Sequence, residues 1–290
     1  MKYAPPADRW KLLPRTLKRL QQGPTLRVVM LGDSIINDTA RSSWPLLLKR
    51  HYPKCRIRLT TSVRGSTGCW HYKAPGRVGA YVLDFAPDLV MIGGISQRGD
   101  IDSIRQVIRQ IRAAARPDIM LMTGPFGRVD PNDDKQWAAI TKPPKDAYGA
   151  RLKALAAEQK TAFLDIQAAW ARYVRSSGKE TVWFKRDVVH ANDRGEQILG
   201  RILAGHLAPP EQSGKQGLAR QRSEAERTCL SLLSTSRVKG QRSRTTAVPC
   251  ALHPAPPRDG DLSRPSPEGE AASPEGEAAS PRTKPPAVNP

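Results

Sequence analysis

Short apolar runs that alternate with amphipathic stretches are the feature that most limits what this chain can fold into. Each run has the length of a strand, and most of them end at or near a glycine. RIRLTTSV alternates polar and apolar residues, whereas the other runs have the apolar composition of buried strands. The runs are RVVML (27–31), RIRLTTSV (56–63), PDLVMIGG (87–94), DIMLMTG (118–124) and AFLDI (162–166). Strands that alternate with helices predict an α/β fold, in which a mainly parallel five-stranded sheet lies between two helical layers.

The stretches between these runs have the pattern of helices. In DIDSIRQVIRQIRAAAR, one helical face collects apolar residues and the other collects arginines, so this helix should cover the sheet. In SSWPLLLKRHY, Ser42 or Ser43 can cap a helix whose first turn holds Pro45. Two further helices are predicted, DAYGARLKALAAEQK and DRGEQILGRILAGHL.

The chain divides near residue 207. We expect a helical or extended lead-in over residues 1–25, a folded domain over 26–207 and a disordered tail over 208–290. The tail is rich in Pro, Ser, Gly and Arg and contains the tandem repeat SPEGEAASPEGEAASP (266–281), which has no apolar face to bury. It is either an interaction segment or a stretch without a selected role.

Charge and cysteines exclude several classes. The net charge of +20 suggests a polyanionic partner, but the basic residues are scattered and have no interleaved aromatic array, so charge alone does not establish a nucleic-acid binder. Cys55, Cys69, Cys229 and Cys250 have neither CxxC nor zinc spacing, so we expect no metal, cofactor or disulfide framework.

Neither a membrane span nor a signal peptide is predicted. The chain has no apolar run of about 18 residues, and its first residues lack the apolar segment of a signal peptide. As it stands the sequence predicts a cytoplasmic protein, whereas an incomplete N-terminus would allow a secreted or periplasmic one.

The residues that carry chemistry follow the first strand and precede the last helix. Ser34 comes directly after VVMLGD, where a helix N-terminus directs backbone N–H groups at its surroundings. Asp187 and His190 are three residues apart, close enough for the carboxylate to orient the imidazole. Because ligands of parallel sheets gather at the carboxyl ends of the strands, these groups can supply a nucleophile, its base and the residue that orients the base.

These segments resemble the SGNH (GDSL-type) hydrolases over roughly residues 27–207. Within that family, the chain resembles carbohydrate-esterase-like members. The resemblance implies a flavodoxin-like sheet and a serine esterase. VVMLGDSIIND makes Ser34 the nucleophile, VRGSTG makes the Gly65 N–H an oxyanion donor beside that of Ser34, and DVVHANDRGEQILGRIL supplies Asp187 and His190.

The third family block departs from this pattern. The family has Gly-x-Asn after the strand, whereas this chain has GGISQ, which aligns Gly94 with the glycine and Ser96 with the asparagine. Either the Ser96 hydroxyl or the Gln97 amide can donate to the oxyanion instead. Gly94 would support the strand-to-loop packing. Asp33 would shape the turn before the nucleophile, and Asn37 would support the same loop.

The expected reaction is hydrolysis of a small acyl ester by Ser34, His190 and Asp187, with acetyl on a glycan as the first choice. Aromatic residues in TGCWHY (67–72) and Trp137 either stack on sugars at the rim of the site or pack in the core. Two alternatives remain open: a weakened family member that binds a glycan or transfers acyl groups, and a protein that binds polyanions.

Overall fold

The computed structural model of this protein describes residues 3–125 and 127–210. Five parallel strands form one sheet in the order β2-β1-β3-β4-β5. The strands are β1 (Thr25–Gly32), β2 (Arg56–Val63), β3 (Leu89–Ile92), β4 (Asp118–Met122) and β5 (Ala162–Leu164). The predicted α/β fold with a five-stranded parallel sheet is confirmed, and this strand order is that of flavodoxin-like folds.

Helices cover both faces of the sheet. They are α1 (Pro14–Gln22), α2 (Ser34–Arg41), α3 (Trp44–Lys49), α4 (Cys69–Tyr72), α5 (Arg77–Tyr81), α6 (Ile101–Ala114), α7 (Asp134–Thr141), α8 (Tyr148–Glu158), α9 (Ile166–Ser177) and α10 (Asp193–His206). Short 3₁₀ turns occupy Arg9–Leu12, Leu83–Phe85 and Thr181–Phe184. No helix in the part of the chain that the structure describes is long and apolar enough to cross a membrane.

Alternate residues of the strands supply two separate cores. In β1, Val28 and Met30 pack under α2, α3, α9 and α10. Val29 and Leu31 of the same strand face α4, α5, α6 and α8 on the other side of the sheet. The period of two in a strand therefore divides its side chains between two helical layers.

Two local predictions need correction. The run AFLDI was taken as one strand, but β5 ends at Leu164 because the Asp165 carboxylate accepts a hydrogen bond from the Ala168 N–H and caps α9. Ser43 is the N-terminal flanking residue of α3, yet its side chain makes no capping hydrogen bond. The Ser42 hydroxyl instead donates to the Thr39 carbonyl at 2.6 Å, which closes the end of α2.

The N-terminal segment packs against the end of the domain. Arg9 is buried, and its Nε donates to the His206 carbonyl at 2.7 Å while Nη2 donates to the Ala208 carbonyl at 2.9 Å. The lead-in predicted for residues 1–25 is thus mainly helical from residue 9 onward and fastened to the C-terminal side of α10. The domain boundaries stay predictions, and the predicted tail lies outside the described residues from position 211 on.

Candidate active site

Ser34 occupies the point where β1 passes into α2 at the carboxyl end of the sheet. It is the first residue of α2, and the Asp33 carboxylate caps this helix by accepting the Ile35 N–H at 3.0 Å. Among the described residues, the Ser34 N–H donates no backbone hydrogen bond. The helix start therefore holds the hydroxyl beside an unpaired N–H, at the positive end of the helix dipole.

His190 and Asp187 complete a hydrogen-bonded line with Ser34. His190 Nε2 lies 2.8 Å from Ser34 Oγ, and His190 Nδ1 lies 2.7 Å from Asp187 Oδ2. A carboxylate at Nδ1 keeps the proton on that nitrogen, so Nε2 is left to accept the serine hydroxyl proton. The sequence prediction placed these three groups together, and they are together; their catalytic roles stay predictions.

The Asp187 carboxylate is oriented by its own loop. Its Oδ1 accepts the backbone N–H groups of His190 and Val189, each at 2.8 Å. These two N–H groups, the His190 contribution first, hold the pKa of Asp187 at about 2. The carboxylate is therefore ionised at any pH at which the imidazole can act as a base.

Asp38 and Arg186 fasten this loop to the helix that carries Ser34, and sequence reasoning missed both. Asp38 is 1% exposed and lies one turn beyond Ser34 on α2. Its carboxylate accepts Arg186 Nη2 at 2.8 Å and the Ala191 N–H at 3.0 Å. Arg186 also donates to the Ala191 carbonyl through Nη1 and to the His190 carbonyl through its backbone N–H. The available signal was the spacing of four residues between Ser34 and Asp38, which puts both on one helical face.

Asp33 has a larger role than the turn shaping that was predicted. Its Oδ2 accepts the N–H groups of Ile95 at 2.7 Å and Ser96 at 2.6 Å, so it joins the nucleophile turn to the loop after β3. Gly94 makes this approach feasible, because a Cβ there would lie 2.4 Å from Asp33 Oδ1. Gly94 also has a φ of +102°, a region that favours glycine.

The predicted oxyanion donors differ in exposure and in whether the protein already supplies them with a hydrogen-bond partner. Gly65 is exposed beyond β2, and its N–H, like that of Ser34, donates no backbone hydrogen bond within the described residues. Ser96 is half-buried, and the Asp33 contact to its backbone fixes it next to the nucleophile turn. The Ser96 hydroxyl has no hydrogen-bond partner among the described side chains, so it is available to a ligand.

Both polar atoms of the Gln97 side chain are already hydrogen-bonded within the protein. Gln97 is 2% exposed, its Oε1 accepts the Cys69 N–H at 2.8 Å, and its Nε2 donates to the Gly93 carbonyl at 2.9 Å. Gly68 packs so closely on this side chain that a Cβ would lie 2.8 Å from Oε1. Of the two predicted alternatives, the geometry therefore favours Ser96, and Gln97 instead connects the loops after β2 and β3.

Asn37 supports the loop only weakly. Its backbone N–H donates to the Asp33 carbonyl at 3.2 Å within the first turn of α2. Its side chain makes no hydrogen bond to another described residue. Any function for the Asn37 amide therefore stays a prediction.

The aromatic residues divide between the rim and the core. Tyr72 is fully buried and donates its hydroxyl proton to the Gly32 carbonyl at 2.7 Å. Trp137 is a residue of α7, and its side chain packs against the core. Trp70 is half-buried, its Nε1 donates to the Ser96 carbonyl at 2.9 Å, and the Arg98 guanidinium lies 3.9 Å from its ring centroid. Of the aromatic residues that the sequence analysis named, Trp70 is the one with a hydrogen bond to the loop that carries Ser96. Trp70 is therefore the best candidate for the predicted sugar-stacking residue.

Among residues 3–125 and 127–210, no group of three or more His, Cys, Asp and Glu side chains is placed to hold a metal ion. Cys55 and Cys69 are buried free thiols, while Cys229 and Cys250 lie outside the described residues.

A serine hydroxyl, an imidazole and a carboxylate in one hydrogen-bonded line on a parallel α/β sheet define the class of serine hydrolases. The model of the GDSL-like lipase/acylhydrolase family matches residues 30–198, more than half of the chain. The chain therefore belongs to the GDSL-like lipase/acylhydrolase family, as its resemblance to the SGNH hydrolases predicted. No curated protein matches the chain significantly in sequence.

The chain is similar to several solved structures at low sequence identity, and two of them have TM-scores above 0.5. A two-domain esterase active on acetylated mannans, co-crystallised with mannopentaose, has a TM-score of 0.53 and 16% identity; the match covers 71% of this chain and 59% of that one. The same esterase in another crystal structure has a TM-score of 0.52 and 18% identity, with 71% and 56% covered. A peptidoglycan O-acetylesterase has a TM-score of 0.48 and 11% identity, with 70% and 96% covered. The chain thus spans about three fifths of the length of the mannan esterase.

Proposed function

We propose that this protein is a serine esterase that removes a small acyl group, acetyl in the first instance, from a carbohydrate ester. The observation that carries the proposal is the unbroken hydrogen-bonded line from Ser34 Oγ through His190 to Asp187. The Ser34 and Gly65 N–H groups and the Ser96 hydroxyl have no partner among the described residues, and an acyl-transfer reaction needs donors of this kind for its oxyanion.

In the first half of the reaction, His190 Nε2 takes the Ser34 hydroxyl proton while Oγ forms a bond to the ester carbonyl carbon. The carbonyl π electrons move to oxygen, and the oxyanion accepts hydrogen bonds from the Ser34 and Gly65 N–H groups and the Ser96 hydroxyl. Collapse breaks the bond to the alcohol oxygen, which leaves with the proton from His190. Ionised Asp187 stabilises the imidazolium that exists between these proton transfers.

In the second half, water replaces the alcohol. His190 Nε2 accepts one water proton as the water oxygen attacks the acyl carbon of the Ser34 ester. Collapse of the second tetrahedral intermediate breaks the bond to Oγ, which recovers its proton from His190, and the carboxylic acid is released. The balance is one ester and one water to one alcohol and one acid, and no other reactant is required.

The choice of an acetylated carbohydrate has separate support. The solved esterase with a TM-score above 0.5 is active on acetylated mannans, and it shares this fold at 16% identity. In this chain, Trp70 is half-buried and its Nε1 donates to the Ser96 carbonyl, so an aromatic side chain adjoins the Ser96 loop. Support of this kind favours a glycan over a long lipid.

Ester hydrolysis by the wild-type protein and by Ser34→Ala tests the proposal. We expect hydrolysis of 4-nitrophenyl acetate by the wild type, and a loss of at least about 10³-fold in kcat in the variant. Release of acetate from acetylated manno-oligosaccharides, measured beside 4-nitrophenyl hexanoate, tests the acyl and alcohol preference. Equal activity of Ser34→Ala and wild type would contradict the serine mechanism.

One observation favours a second candidate, a glycan-binding family member with little hydrolytic activity. Ser96 stands where the family has asparagine, and a missing oxyanion donor costs about 10²–10³-fold in kcat. Saturable binding of acetylated manno-oligosaccharides without acetate release would favour this candidate. Acyl transfer to a sugar in preference to water would identify the acyltransferase alternative.

A further inference from the structure

A cavity of about 400 Å³ opens beside the candidate active site, between the loops after β3 and β4 and the helices α7 and α8. This volume lies at the lower end of the range of about 300–1,000 Å³ that is usual for ligand pockets, and it exceeds what an acetyl group requires. The lining residues that matter here are Ile95, Gln97, Thr123, Pro125, Ile140 and Tyr148.

The wall of this cavity is joined directly to the turn that carries Ser34. Gly94 and Ile95 line the cavity, and the Ile95 N–H donates to the Asp33 carboxylate at 2.7 Å. Asp33 immediately precedes Ser34, and the neighbouring Ser96 is bonded to the same carboxylate oxygen. These hydrogen bonds therefore place part of the cavity wall next to the turn that carries the nucleophile.

Tyr148 carries a buried hydroxyl that has no hydrogen-bond partner in the described part of the chain. Burial raises the pKa of Tyr148, and the nearby Asp33 carboxylate raises it further, so the phenol stays protonated and can donate. A buried hydroxyl without a partner destabilises the folded protein, because it has lost its hydrogen bonds to water. A ligand that supplies an acceptor to this hydroxyl recovers that cost.

The other hydroxyl in the lining is already satisfied. Thr123 Oγ1 donates to Asp165 Oδ1 at 2.9 Å and accepts the Gln167 N–H at 3.0 Å. Gln97 is also fully engaged, as described above. Tyr148 therefore carries the one hydroxyl of the described lining that no described residue satisfies. The same lining combines apolar side chains with the polar side chains of Arg98, Asp165 and Gln167.

This combination fits a sugar ring better than an alkyl chain. A ring presents C–H groups that pack on Ile95, Ile140 and Pro125, and hydroxyl oxygens that can accept from Tyr148. An alkyl chain would fill the same space and leave the Tyr148 hydroxyl unpaired. We propose that the cavity is a sugar-binding subsite and that Tyr148 is its specificity-determining residue; this inference rests on the glycan esterase function proposed above.

Tyr148→Phe tests the inference, with Tyr52→Phe as the matched control. Tyr52 also has a buried hydroxyl without a described partner, but it packs in the core on the opposite face of the sheet. The substrates are monoacetylated methyl mannoside, 4-nitrophenyl acetate and 4-nitrophenyl hexanoate. We expect Tyr148→Phe to lower kcat/KM for the sugar ester about tenfold, mainly through KM, because one hydrogen bond is lost. Hydrolysis of 4-nitrophenyl acetate should change less than twofold, and Tyr52→Phe should change neither reaction.

A second variant blocks the cavity without removing the hydroxyl. Ala139 lines the cavity from the exposed side of α7, so Ala139→Trp should raise KM for the sugar ester and leave 4-nitrophenyl acetate hydrolysis intact. Unchanged kinetics on the sugar ester in both variants, or equal losses on all three substrates, would overturn the subsite. A gain on 4-nitrophenyl hexanoate in Tyr148→Phe without a loss on the sugar ester would identify an acyl-chain pocket instead.

The two proposals fail differently. If the wild type hydrolyses 4-nitrophenyl acetate through Ser34 but Tyr148→Phe has no selective effect, only the subsite is wrong. If no Ser34-dependent hydrolysis exists, the esterase function is wrong and the subsite with it.

Discussion

The amino and carboxyl ends of the sheet differ in whether key polar groups find hydrogen-bond partners within the protein. At the amino end, the Asp88 carboxylate is 1% exposed and is paired with Arg15, Arg19 and Arg27 at 3.0–3.2 Å. Asp118, next to it, accepts the Thr16 N–H. At the carboxyl end, the N–H groups of Ser34 and Gly65 and the hydroxyls of Ser96 and Tyr148 have no protein partner among the described residues.

This difference separates stability from function. The hydrogen bonds of the Asp88 carboxylate lower the free energy of the folded state and commit this carboxylate to the protein. Unsatisfied groups at the carboxyl end cost stability, and a substrate or transition state can recover that cost. The same substitution should therefore have different consequences at the two ends.

The largest contrast is expected from one carboxylate-to-amide change made at each end. Asp187→Asn should lower kcat by about 10³–10⁴-fold, because an amide does not hold the correct His190 tautomer or stabilise the imidazolium. Asp88→Asn should leave kcat unchanged and lower the free energy of unfolding. Steady-state kinetics and urea unfolding of both variants measure this contrast. A comparable loss of kcat in Asp88→Asn would break it.

Ser96→Ala should have the next largest effect. Loss of its hydroxyl removes one oxyanion donor, so kcat should fall by about 10²-fold with little change in KM. Ser176→Ala is the control, since Ser176 lies near the end of α9 and its hydroxyl donates to the Tyr173 carbonyl. If Ser96→Ala retains full kcat, the third donor is another group, and the Gln97 alternative must be reconsidered.

The contacts that hold the loop with Asp187 and His190 to α2 should have a smaller but measurable effect on kcat. Asp38→Asn and Arg186→Met should each lower kcat about tenfold, because His190 is held less well against Ser34. The double variant should lose little more kcat than either single variant, because each substitution removes the same Asp38–Arg186 contact. Asp134→Asn, which removes an exposed pair with Arg175, is the matched control. Additive losses would show that Asp38 and Arg186 act separately.

The smallest effect concerns acid stability at the amino end. Burial raises the pKa of Asp88, but hydrogen bonds from Arg27 and Arg15 outweigh it and hold the value at about 2, below the ordinary 3.8. Asp88 therefore stabilises the fold at pH above about 4, and this contribution is lost as the pH falls through about 2.

Its size is at most about 2 kcal/mol, because the arginines are partly exposed and solvent screens them. Unfolding free energies of wild type and Asp88→Asn should converge between pH 4 and pH 2. A constant gap over that range would contradict the assignment.

Most of the fold could be predicted from the sequence. Apolar or alternating runs, most of them ending at or near a glycine, marked all five strands. Helix α9 was missed because Asp165 and Ile166 continue the apolar run AFL, and only the capping hydrogen bond to Ala168 shows that the strand ends before them. Local sequence does not distinguish a strand residue from a helix cap in this case.

The candidate site could be predicted in part. Ser34, Asp187 and His190 carry motif spacing, so they were found. Asp38 and Arg186 were not, because their contact joins residues 148 positions apart and depends on how α10 docks beside α2. The choice between Ser96 and Gln97 depended on the partners of Gln97, which lie in two other loops.

The central claim is that Ser34 is a nucleophile activated by His190. Its most direct test is the reaction of the full chain with a fluorophosphonate probe, followed by peptide mass spectrometry. The account predicts one adduct per chain, located on Ser34, with at least about a hundredfold slower labelling in His190→Ala. Labelling at another residue, or equal labelling rates in wild type and His190→Ala, would contradict it.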